Sequence, residues 1–201
     1  MSKNYFTTIS DLISELLSRP GIDVAAYQVR SGFPEQHLKL LEETSGLLFA
    51  EPVKSFYKQV GEVEITWYGE TRLPGSDDNI HGEVYLQRID RSLGLDNYNE
   101  YWLKRVDEQS KRQYPDWIPR FKPFDFFNSD EIEMVGFIAE GNTLTDNLAY
   151  YKENIGFAEL NINLEQYIER MVESKGLAGW QNALWVKEYD TFLQDVKQAF
   201  P

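Results

Sequence analysis

The stretch Leu38–Gly69, LKLLEETSGLLFAEPVKSFYKQVGEVEITWYG, changes its hydrophobic period partway along, and the change decides the fold class. Leu38 and Leu41, with Ser45, share one face of a helix that opens after Pro34 and stops at Gly46. A second helix starts at Pro52, where proline suits the first turn, and turns Val53, Phe56, Tyr57 and Val60 inward until Gly61 closes it. The spacing then becomes alternate. Val63, Ile65 and Trp67 face one way while Glu62, Glu64 and Thr66 face the other, the mark of a half-buried strand.

Upstream, Ser10 is placed to cap a helix over Ser10–Leu17 with Leu12, Ile13, Leu16 and Leu17 as its stripe, ended by Arg19-Pro20-Gly21. Residues 22–32 admit a short helix before Gly32. Downstream, Gly82–Ile89, Ile132–Ala139, Leu148–Lys152 and Phe157–Asn161 read as strands between turn-forming residues. Asn163 caps a helix over Leu164–Lys175, and a final helical stretch from Trp180 to Phe200 loses its period near Glu188–Asp190. Residues 91–118 interrupt the alternation and read as a helical insertion, with Asp96 capping a helix to Gln113 and Tyr98, Trp102 and Val106 on one face. The pattern predicts one α+β domain over residues 1–201, a largely antiparallel sheet flanked by helices.

Composition narrows the function classes. The 201 residues are 42% hydrophobic and 14% aromatic, enough for a substantial core. Cysteine is absent, which removes disulfides, thiolate metal sites and cysteine nucleophiles, and the expected compartment is the reducing cytoplasm. No run of apolar residues is long enough to span a bilayer, and the acidic N-terminal stretch lacks the apolar centre of a secretory signal. The net charge of −13 opposes nucleic acid and anionic membranes and favours basic partners. It is unevenly spread: residues 123–201 carry 14 acidic and 5 basic side chains, whereas residues 86–122 carry 6 and 8.

Catalytic and cofactor signatures are missing. There is no phosphate-binding glycine loop, no GxSxG elbow and no HExxH helix, so no catalytic residue, metal ligand or cofactor is assigned. Asp77, Asp78, Asn79, His81 and Glu83 resemble the start of a calcium loop, but the twelfth position is Arg88 where a bidentate glutamate is required. The best partner-binding candidates are the acidic loop with Asp77, Asp78 and Glu83 and the aromatic segment with Tyr98, Tyr101 and Trp102, since tyrosine and tryptophan supply large contact area at low entropic cost.

The Leu38–Gly69 block resembles the SUKH superfamily, which takes in yeast cell-wall regulators and bacterial immunity proteins. The resemblance rests on Leu41-Glu42, on Pro52 followed by Phe56-Tyr57, on Gly61 before the strand with Trp67, and on the late helix within Leu160–Val172. Glu51 stands where the family has leucine and Val60 where it has asparagine. The resemblance implies a non-enzymatic protein-binding domain, in bacteria one that neutralises a toxin. A basic toxin domain, with a nuclease among the candidates, is the expected partner. A regulatory adaptor for endogenous proteins and a carboxylate-dependent hydrolase are the alternatives.

Overall fold

The computed structural model describes residues 3–73, 78–95, 106–128 and 132–200 and has the α+β architecture. In chain order the elements are α1 (Tyr5–Ser18), β1 (Ile22–Ser31), α2 (Glu35–Ser45), β2 (Leu48–Phe49), α3 (Glu51–Gln59), β3 (Val60–Arg72), β4 (Asn79–Leu86) and α4 (Ile89–Ser92). They continue with α5 (Glu108–Gln113), β5 (Phe121–Asn128), β6 (Glu133–Glu140), β7 (Thr143–Lys152), β8 (Gly156–Asn163), α6 (Leu164–Glu173), α7 (Trp180–Trp185) and α8 (Tyr189–Ala199). The strands form one sheet in the order β1-β3-β4-β5-β6-β7, with β2 and β8 both pairing with β7. Among the described residues only the β2–β7 pairing is parallel.

The period change in Leu38–Gly69 is realised without a loop. α3 ends at Gln59 and β3 begins at Val60, so the helix carrying Phe56 and Tyr57 feeds the strand carrying Val63, Ile65 and Trp67 into the same core. Phe56 and Tyr57 meet Phe124 edge-on at centroid distances of 5.5 and 6.4 Å, and Phe124 in turn meets Phe137 and Tyr167. Aromatic pairs in such geometries add about 1 kcal/mol each to the burial of their surfaces. Asn163 caps α6 in a reciprocal box with Gln166, which directs Tyr167, Ile168 and Met171 into this core.

Several expectations change. Residues 22–31 are a strand rather than a short helix, because β3 is 13 residues long and its free edge is paired by β1 from Ile22↔Gly69 to Ser31↔Val60. The first helix starts at Tyr5, not Ser10. Asn4 accepts the Thr7 amide at 3.0 Å, Tyr5 and Ile9 join the buried stripe, and Leu17 stays exposed. The final helical stretch divides into α7 and α8 across a left-handed Lys187 (φ 62°).

A strand absent from the sequence reading, β5, lies at the centre of the sheet. Its Pro123 argues against a central strand. The structure accommodates it because the register shifts between Pro123 and Asp125, and the proline carbonyl accepts the Gln87 side-chain amide.

The stretch 106–118 does not continue one helix. Asp107 is extended and caps α5, accepting the Ser110 amide at 2.7 Å and the Tyr151 hydroxyl at 3.0 Å. Beyond α5, Tyr114, Trp117 and Ile118 pack on the sheet face opposite the main core. Trp117 stacks on Phe157 at 5.6 Å, above a second cluster of Phe121, Met134, Ile138 and Tyr151. β6 is therefore buried on both faces. Among the described residues, this cover reaches β5–β8 and not β1, β3 and β4.

Trp67 ties the sheet to the C-terminal elements. Its indole N–H donates to the Lys175 carbonyl at 2.9 Å, and its ring lies against Gly82, where an added Cβ would stand 2.2 Å from Nε1. Gly82→Ala is expected to lower unfolding free energy by about 2–3 kcal/mol through forced displacement of the indole. Gly46→Ala, at a left-handed position with open space around it, is expected to cost about 1 kcal/mol. Urea unfolding of both variants checks this, and equal losses would refute the packing account.

Candidate binding surface

The site is a consequence of a fork in the sheet. β4 and β5 share a single register pair, Leu86↔Asp125, and then part. The amides of β4 that face β5 change partners in turn. The Gln87 amide donates to the Phe124 carbonyl at 2.8 Å, the Tyr85 amide to the Asp125 carboxylate at 3.3 Å, and the Glu83 amide to the Gly176 carbonyl at 3.0 Å. The segment after α6 enters the fork, with Ala178 donating to the His81 carbonyl at 2.9 Å.

Asp125 is wholly buried at the branch point. Besides the Tyr85 amide it accepts the Tyr167 hydroxyl at 2.6 Å and the Gln181 side-chain amide at 3.2 Å. One carboxylate thus joins β4, β5, α6 and α7. Burial pushes its pKa up to about 6, against the lowering effect of its three donors.

Beyond Asp125 the separated strands border a cleft of about 380 Å³. His81 and Glu83 line it from β4, Phe127 from β5, Glu133 from β6, Lys152 from β7, and Gly179, Gln181 and Asn182 from the entering segment and α7. Glu133 is nearly buried, accepts the Tyr150 hydroxyl at 2.8 Å and pairs with Lys152 across the β6–β7 ladder. Glu83 sits at the rim, its pKa raised by burial and partly offset by His81.

The polar face of β1, β3 and β4, on which no element packs among the described residues, adjoins this cleft. Register places Asp23, Gln28, Glu64, Thr66, Tyr68, His81, Glu83 and Tyr85 on it. Tyr68 is 53% exposed and stacks with His81 at 6.4 Å. Asp23, Glu64 and Glu83 form no ion pair among the described residues. At one end of the face Glu62 is buried between Arg30, at 2.8 Å, and Arg91, at 3.2 Å, and accepts the Tyr85 hydroxyl. That charge is satisfied internally. The other carboxylates face outward.

Of the residues singled out from sequence, Glu83 belongs to both the open face and the cleft rim. Asp78 is exposed just before β4. Asp77, Tyr98, Tyr101 and Trp102 lie outside the described residues. The calcium-like spacing is broken by structure, because Asn79–Leu86 is a strand whose alternate residues point to opposite faces. Asp125, Glu133 and Gln181 went unnoticed because buried polar residues on separate elements leave no local pattern. A lone aspartate within the apolar run Phe124–Phe127 was the available signal. No family model matches this chain, and no match was found among the curated proteins.

Asp125 makes stability depend on pH in a defined direction. Its folded pKa of about 6 exceeds the ordinary aspartate value of about 4, so the native state holds the extra proton and stability declines as pH rises through that window. Asp125→Asn can accept the Tyr85 amide through its carbonyl oxygen and donate its amide to the Tyr167 hydroxyl oxygen, with the Gln181 amide turned so that its oxygen accepts. It is expected to match the parent near about pH 4 and to exceed it by up to about 3 kcal/mol above about pH 7. Asp125→Leu leaves three buried donors without an acceptor and is expected to cost at least about 3 kcal/mol. Urea unfolding across pH checks both, and an Asn variant with the parent's pH slope would contradict the assignment.

Proposed function

We propose that this protein is a non-enzymatic binding module whose open, acidic face on β1, β3 and β4 docks a basic protein. The supporting observation is the asymmetry of the sheet. One half is sealed on both faces by apolar side chains, while the other presents Asp23, Glu64 and Glu83 without cationic partners among the described residues, beside exposed Tyr68. Such a field speeds encounter with positive partners, and an aromatic within it supplies contact area once water is excluded.

The resemblance to SUKH proteins gives this binding its biological form, a cytoplasmic immunity protein that neutralises a toxin domain by occupying it. A hydrolase reading receives less support. The carboxylate with the most raised pKa, Asp125, is sealed behind Tyr167 and Gln181, and Glu133 is engaged by Lys152 and Tyr150. Glu83 alone at the rim does not make an acid–base pair.

Expression of the neighbouring open reading frame should arrest growth, and co-expression of this chain should restore it. Association of the two purified proteins should slow by about tenfold or more between low and high salt. Asp23→Lys combined with Glu64→Lys should weaken binding with little effect on folding, since both side chains are exposed. A neighbour that is harmless, or an association rate indifferent to salt and to these charge reversals, would refute the proposal.

A further inference from the structure

We propose that the cleft between β4 and β5 is a guanidinium pocket that receives an arginine side chain projecting from the protein docked on the adjoining sheet face. The inference rests on the docking reading above and names the chemistry of the contact.

The cleft holds several acceptors beside the Phe127 ring and the His81 imidazole. Glu83 supplies a carboxylate at the rim and Glu133 a second in the wall, while Phe127 offers a ring beside them. Gln181 is 1% exposed and its orientation is set from behind, because its Nε2 is committed to Asp125 at 3.2 Å. Its Oε1 accepts no hydrogen bond from any described residue, yet it is not among the buried atoms sealed without a partner. Gln181 lines the cleft, so this oxygen is an acceptor presented to it.

Asp125 therefore acts as a positioning residue. By accepting the Gln181 amide, it leaves the carbonyl end of that side chain for the cleft.

The cationic group in the wall is already committed. Lys152 is paired with Glu133, leaving the rim carboxylate of Glu83, beside the His81 imidazole, with no ion pair among the described residues. A guanidinium carries five N–H donors in a planar fork and stacks on aromatic rings, so it can use a carboxylate, an amide carbonyl and Phe127 together. An ammonium is a compact charge with no plane to stack. The volume of about 380 Å³ admits the head and stem of an arginine side chain. Glu83 belongs to the open face as well as to the cleft, so a chain lying across that face passes the entrance.

The test is an NMR titration of the full ¹⁵N-labelled chain with N-acetyl-arginine-N-methylamide and with its lysine and citrulline counterparts. The arginine probe is expected to shift the amides of Gly179, Gln181 and Asn182 saturably. The lysine probe should bind several-fold more weakly, and the isosteric neutral citrulline probe should not saturate. Glu83→Gln, on an exposed rim, should weaken the arginine probe by about tenfold without altering the fold.

Equal binding of the citrulline probe, shifts confined to other surfaces, or an unchanged affinity in Glu83→Gln would each overturn the pocket. Failure here with growth rescue intact refutes the pocket and leaves the docking reading standing. Failure of rescue with a specific arginine response refutes the docking reading and leaves a guanidinium site.

Discussion

At the Asp125 carboxylate, β4 gives up β5 and begins to pair with the segment after α6. A sheet that divides leaves amides without partners, and a buried amide without an acceptor is costly. Asp125 takes the Tyr85 amide at the branch and uses its other oxygen for Tyr167 and Gln181. A carboxylate suits this position because it is acceptor-only when ionised and can face three donors at once. Desolvation raises its pKa, so the joint is held at some expense of stability at neutral pH. What the fork provides is a cleft between strands that a continuous ladder would have closed.

The same division separates the two halves of the sheet by role. β5 through β8 lie between two apolar layers, with Phe124 and Phe137 on one side and Phe121, Phe157 and Trp117 on the other. This half is the anchor. β1, β3 and β4 have one apolar face on the helices and one polar face open among the described residues. Glu62 marks the end of the polar face at which charge is satisfied internally. It lies on the polar face, but Arg30, Arg91 and Tyr85 neutralise it, whereas Glu64, two residues on, has no such partners among the described residues.

Legibility followed the range of the interactions involved. The α3–β3 transition was legible because Val53, Phe56, Tyr57, Val63, Ile65 and Trp67 announce their periods within a few residues, and all six are buried. Asn163 announced a helix start through its own cap. β1 was not legible as a strand, because its side chains are only partly buried and its identity comes from the length of β3. β5 was concealed by Pro123, a strand breaker made harmless by a register shift. Among the candidate residues, Glu83 was singled out by its local acidity, while Gln181 could be recognised only once Asp125 stood beside it.

The sequence by itself determined the fold class, the presence of a helix-to-strand transition after Tyr57 (read at Gly61, found at 59–60), the acidic character and the lack of local catalytic or cofactor signatures. These are written in composition and short-range periodicity, where neighbouring residues decide one another. Only the tertiary structure decided where the sheet divides, which acidic residues are internally satisfied and which face outward, and which distant side chains meet at the cleft. Those outcomes depend on pairs such as Asp125 with Gln181 and Trp67 with Lys175, 56 and 108 residues apart. Contacts at that separation leave no periodic trace along the chain, because folding brings together groups that no local rule relates.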